Sequence, residues 1–137
     1  MYKNIILAYD GSKHSNKALQ EAIRIAKISG GKLLILSIVD VTDEFESQAP
    51  GLTEKMTEKL KKQVQKAAEK AAAENIQVRE EVRVGDASEM IVEVAGKKKC
   101  DLIIMGSHGK TGLKRLLMGS VTSRVIGHAP CKVLVIP

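Results

Sequence analysis

The residues best suited to chemistry lie late in the chain, where MGSHGKTGLKRLLMGSVTSRVI runs from Met105 to Ile126. Gly106 is followed after two residues by Gly109, and after nine more by Gly119 and Ser120. Glycines let backbone N–H groups approach an anion with no Cβ in the way. If Gly119-Ser120 opens a helix, the N–H groups and positive dipole end of that helix suit a phosphate. One such interaction contributes only about 0.3–1 kcal/mol when exposed and up to ~2 kcal/mol when partly buried, so several donors must converge. Ser107, Ser120 and Thr122 add hydroxyls, and Lys110 adds charge. Two better-known phosphate motifs fail here. Gly109-Lys110-Thr111 supplies the tail of a P-loop, but Ile104 stands where its first glycine is required. The dinucleotide pattern Gly-x-Gly-x-x-Gly is absent. On the residues alone, a glycine cluster after a strand also suits a plain turn.

Other candidate groups are scattered. Asp10 opens Asp10-Gly11-Ser12, a strong turn pair, yet an Asp at the end of a central strand is also placed to meet a ligand. His108 has no identifiable Asp or Ser partner in the sequence, so it is expected to touch a ligand rather than serve as a general base. His14 and His128 are expected on the surface. Cys100 and Cys131 precede the last two strands and could approach each other, but two thiols fall short of the usual four zinc ligands. Met56, Met90 and Met118 are expected to fill the core.

These residues need a scaffold, and the chain alternates apolar runs with helical patterns. Asn4–Tyr9, Lys32–Val39, Asp101–Met105 and Lys132–Ile136 are continuous apolar runs, which suit parallel strands covered on both faces. Gln77–Val84 instead alternates Val78, Val82 and Val84 with charges, an edge-strand pattern. Ser15–Ser29, Thr53–Glu74 and Asp86–Lys98 carry apolar stripes at steps of three and four, and a last helix is expected from Gly119-Ser120 through Val121, Val125 and Ile126. The stripe of Thr53–Glu74 is Met56, Leu60, Val64, Ala67 and Ala71. Val41–Leu52 reads as a mobile loop. The alternation predicts an α/β fold: a doubly wound, five-stranded parallel sheet with helices on both faces. If the strand order is 3-2-1-4-5, Asp10 and the glycine cluster share one crevice beyond the strand ends.

Composition narrows the classes. The chain has 137 residues, which predicts a single domain over 1–137; 44% are hydrophobic and 28% charged, ordinary values for a globular protein. Its net charge of +6 does not point to nucleic acid, because the lysines alternate with glutamates along one helix and no aromatic stacking platform exists. No run of about 18 apolar residues exists, so no membrane partner is expected. The opening MYKNIILAYDG reads as a strand rather than a secretory signal, and two cysteines imply no disulfide framework, so a cytoplasmic setting is expected.

The glycine spacing, with the opening IILAYDGS and the ending APCKVLVIP, resembles the ATP-binding branch of the universal stress protein family along the whole chain. That resemblance implies a stress-response regulator that binds ATP and Mg²⁺, switches partner affinity with little turnover, and forms a homodimer through the fifth strand. It implies that Gly106, Gly109, Gly119 and Ser120 hold phosphates and ribose. Asp10 would contact the ribose or a phosphate-bound metal, and Val39 would meet adenine through its backbone. Ala8, Met105 and Val121 would line the pocket, with His108 beside them. The alternative is a slow ATPase or other nucleotide-dependent enzyme on the same fold. Against it, the sequence has neither a Ser-Gly-Gly-x-Asp-Ser loop nor a His-x-Gly-His motif, and shows no carboxylate pair or nucleophile–base pair near the glycines.

Overall fold

The apolar runs become strands because each must be covered twice. In the computed structural model, which describes residues 1–108 and 118–137, β1 is Asn4–Ala8, β2 Lys32–Val39, β3 Val78–Val84, β4 Leu102–Gly106 and β5 Lys132–Ile136. They form one parallel sheet in the order β3-β2-β1-β4-β5. Along β1, Ile5 and Leu7 face one side and Ile6 the other, so an unbroken run serves two cores at once. The first core joins them to Leu19 and Ala22 of α1 (Lys13–Ser29) and to Val64 and Ala67 of α3 (Leu52–Ala73). The second joins Ile6, Leu36 and Ile103 to Ile91 and Val94 of α4 (Ala87–Lys97) and to Val125 of α5 (Ser120–His128). The helices thus lie on both faces, as the alternation predicts.

Local signals set the helix ends. The Ser12 hydroxyl accepts the Ser15 N–H at 3.1 Å to start α1, and Gly30 ends it in a left-handed turn with φ of 70°. Asp86 caps α4 by accepting the Glu89 N–H at 3.0 Å, the donor that its spacing to Glu89 implies.

Three expectations need correction. Residues 41–52 are not an irregular loop, because Asp43–Gln48 form the short helix α2. Thr42 caps it by accepting the Phe45 N–H at 3.3 Å, and Asp43, Glu44 and Glu46 stand at its positive end. Glu46 then accepts the N–H groups of Gly51 and Thr53 at 2.7 and 2.8 Å, joining α2 to the start of α3. Met118 is exposed rather than a core residue, while Met56 and Met90 are only partly buried. His14 is not a surface residue: it packs beside Gly106, and its Nδ1 is buried. The loop after β1 brings the first turn of α1 back over the end of β4, a proximity that only the fold creates.

Candidate functional site

With β1 between β2 and β4, the loops after those strands diverge to opposite faces, and a crevice opens where they part. There the structure holds a cleft of about 290 Å³, near the lower end of the roughly 300–1,000 Å³ usual for small-molecule sites. Ala8, Tyr9 and Asp10 form its floor from β1. Leu36, Ile38 and Asp40 wall one side from β2, with Ala87 and Ile91 of α4 beside them. Met105, Gly106 and His108 come from β4 and the loop after it, and Gly119, Ser120, Val121 and Thr122 from the start of α5.

Nine of the residues singled out from the sequence therefore share one cleft: Ala8, Asp10, Met105, Gly106, His108, Gly119, Ser120, Val121 and Thr122. Gly109 lies outside the described residues, as do Lys110 and Thr111. Val39 is not on the wall. Its side chain is buried and its carbonyl accepts the Gly85 N–H at 3.0 Å, while the pleat turns Ile38 and Asp40 to the cleft instead. Those two, with Tyr9, Leu36, Ser15, Ala87 and Ile91, are the lining residues that sequence reasoning missed. Alternation groups Ile38 with Asp40, but the face they share is set by the fold.

The β4–α5 side of the cleft is held largely by backbone. The Ser107 N–H donates to the Ile136 carbonyl at 2.8 Å, which extends the β4–β5 ladder past the strand end. The Gly119 N–H donates to the Ser107 carbonyl at 2.8 Å, and the Thr122 hydroxyl donates to the Gly106 carbonyl at 2.9 Å. These bonds seat the α5 N-terminus against the end of β4. Gly119 caps α5 with no side-chain bond, so the first-turn N–H groups keep their demand for an acceptor from outside the helix.

The glycines there differ in kind. A Cβ on Gly106 would lie 2.8 Å from the His14 Cβ, so packing alone requires glycine there. Gly119 has φ of −63°, which any residue adopts, and among the described residues a Cβ would meet nothing nearer than the Ser107 carbonyl at 3.5 Å. No described neighbour therefore requires glycine there.

Polar groups complete the site. Asp10 accepts the Ser12 N–H at 2.9 Å through Oδ1, and Asp40 accepts the Ala87 N–H at 3.1 Å through Oδ2. Burial and then the neighbouring Asp10 charge push the Tyr9 phenol above its ordinary value, so it stays a donor, to Asn16 Oδ1 at 2.7 Å. His108 is buried, with its Nδ1 3.0 Å from the Ser107 hydroxyl and its ring centroid 5.3 Å from that of His14. The expectation that His108 lacks a Ser partner, and that no hydroxyl–base pair stands near the glycines, is corrected by that contact. Adjacency in sequence hid it. Among the described residues no group of three or more His, Cys, Asp or Glu could hold a metal, and no helix is long and apolar enough to cross a membrane.

A profile described as the universal stress protein family matches residues 1–137. Universal stress protein MJ0531 of Methanocaldococcus jannaschii is 41% identical over 140 residues, covering 99% of this chain and 82% of that protein. Among solved structures, the hypothetical protein MJ0577 superposes with a TM-score of 0.91 at 33% identity, covering 99% of this chain and 96% of that one. A universal stress protein solved in complex with cAMP superposes with a TM-score of 0.72 at 26% identity, covering 99% and 97%.

Proposed function

The chain belongs to the universal stress protein family, and from that premise we propose that it binds ATP at the carboxyl end of its sheet and acts as a nucleotide-dependent switch in a stress response. The observation that carries the reading is the α5 N-terminus opening onto the cleft at Gly119, whose Cβ position meets no described atom closer than ordinary contact. The first-turn N–H groups and the Ser120 hydroxyl would take the phosphates, with Gly106 and Gly109 on the approach. Leu36, Ile38 and Ile91 offer an apolar wall for the base. The relative solved with cAMP supports a nucleotide as the ligand class.

Mg²⁺ fits only as a partner of the nucleotide. Asp10 and Asp40 supply carboxylate oxygens on the cleft wall, too few for an all-protein site but apt where phosphates complete the shell. Bound there, the ion would neutralise phosphate charge, with Asp10 its protein contact.

We take residues 1–137 as one cytoplasmic nucleotide-binding domain that pairs with a second copy through β5. Calorimetric titration with ATP and Mg²⁺ is expected to saturate at micromolar strength, about −8 kcal/mol. No saturation at millimolar ATP would end this reading. The Ser107–His108 contact supports a second reading, slow turnover of ATP. Steady-state phosphate release above that of a Ser107→Ala, His108→Ala variant would favour it.

A further inference from the structure

Cys100 and Cys131 meet at the opposite end of the sheet from the cleft. Leu102 pairs with Lys132 in the β4–β5 ladder, so Cys131 stands one residue before its first pair and Cys100 two before. In ideal strands that offset would send the side chains to opposite faces. Cys100, however, precedes its strand, and its N–H still donates to the Ala95 carbonyl at 2.9 Å as the chain leaves α4. That turn brings both thiols onto the core that contains Ile103 and Val125. A strand spacing of ~4.8 Å and an offset of one residue, ~3.3 Å of rise, set the scale of the Cα separation at about 6 Å, which the turn before β4 then adjusts. A disulfide needs roughly 4.4–6.8 Å. The thiols are also near enough for the charge of Cys131 to act on Cys100.

The two cysteines bracket β4, the glycine cluster and α5. We infer that they form a redox-modification site, in which a peroxide converts them to an intramolecular disulfide that ties the approach to β5 to the approach to β4. The chemistry balances with hydrogen peroxide as oxidant. The Cys131 thiolate attacks one peroxide oxygen, the O–O bond breaks, and the departing hydroxide takes the thiol's proton to become water. The Cys100 thiolate then attacks the sulfenic sulfur, the S–S bond forms, the S–O bond breaks, and a second water leaves. The two sulfurs lose two electrons in all, and the peroxide gains them.

Burial, then the charges of Cys131 and Asp101, push the Cys100 thiol up to about 11, against an opposing pull from Lys98. Burial and Asp101 raise Cys131 as well. Thiolate is therefore scarce at neutral pH. Oxidation responds to sustained peroxide rather than to traces, and its rate climbs roughly tenfold per pH unit below the thiol values.

The test uses the full chain with excess hydrogen peroxide at pH 7 and pH 9, followed by alkylation and non-reducing mass spectrometry. The expected product is a single chain lighter by about 2 Da before digestion of any other adduct, with peptide 100–110 joined to peptide 125–132 after trypsin. It should form about 100-fold faster at pH 9 and raise the unfolding midpoint by roughly 5–10 °C. Dithiothreitol should reverse both changes. Cys100→Ser should lose the cross-link and the thermal gain. Sulfinic acid without a cross-link, a bridge between two chains, or a rate independent of pH would overturn the inference. Each outcome is independent of what the cleft binds.

Discussion

The two flanks of β1 solve burial differently. On the β2–β3 side the chain completes its own surface: α3 covers one face with Leu60, Val64, Ala67 and Ala71, and the outer strand carries Arg79, Glu80, Glu81 and Arg83. Burial works to raise the Glu81 carboxyl, but hydrogen bonds from Lys98 at 2.9 Å and Arg83 at 3.0 Å prevail and hold it below its usual value. An edge dressed in charge resists pairing with another chain. The β4–β5 side leaves more undone. Its outer strand runs Val133, Leu134, Val135, Ile136, all only partly buried in one chain, and its helix α5 points an uncapped N-terminus at an open cleft. One flank is finished by the chain itself, whereas the other leaves an apolar outer strand partly exposed and a helix N-terminus open to the cleft.

The sharpest way to break that contrast is at the glycines. Gly119→Val should weaken ATP binding at least 100-fold, about 3 kcal/mol, while the ligand-free unfolding midpoint stays near that of the parent. Gly106→Ala should instead cost about 1–3 kcal/mol of stability with or without nucleotide, because its Cβ meets His14. Calorimetry and thermal melts of both variants decide the matter. If the two behave alike, Gly119 has no ligand role of its own.

The outer strands come next. Val133→Lys with Val135→Glu should convert a dimer to monomers that still bind ATP, since neither residue lines the cleft. Sedimentation at tens of micromolar reads this directly, and a monomeric parent protein would remove the partner from the account. On the finished flank, Leu60→Ala should cost about 2–4 kcal/mol in denaturant unfolding. ATP affinity and oligomeric state should not change, and a shift in either would show that the flanks are coupled.

The smallest effect concerns Glu46. The Thr53 N–H first, with the Gly51 N–H also bonded, holds its carboxyl below the ordinary glutamate value. A lowered value in the folded state means that its contribution is complete above the ordinary glutamate range. It is lost as pH falls through the lower, folded value. An NMR titration of Glu46 should show that depressed midpoint, and Glu46→Gln should increase amide exchange at Gly51 and Thr53 without disturbing β1. A midpoint at the ordinary value would mean that these bonds do not persist in solution.

Much of the scaffold was written into the chain order of residue types. Four unbroken apolar runs and one charged alternation specify strands covered twice and one charged edge, because a pleat sends successive side chains to opposite faces. The helices followed from stripes at steps of three and four, and the start of α4 from Asp86. The glycine spacing pointed to loop ends of which Gly106 and Gly119 line the cleft. Helix α2 was not legible, since it buries nothing and has no stripe; Thr42 and the reach of Glu46 to α3 hold it. The tertiary structure alone decided that Ile38 and Asp40 rather than Val39 face the cleft, because strand phase relative to the sheet cannot be read from an apolar run buried on both sides. It alone distinguished Gly106, required by the approach of His14, from Gly119, which no described neighbour requires. Spacing treats the two glycines alike, and only the atoms around each one tell a packing constraint from an open position.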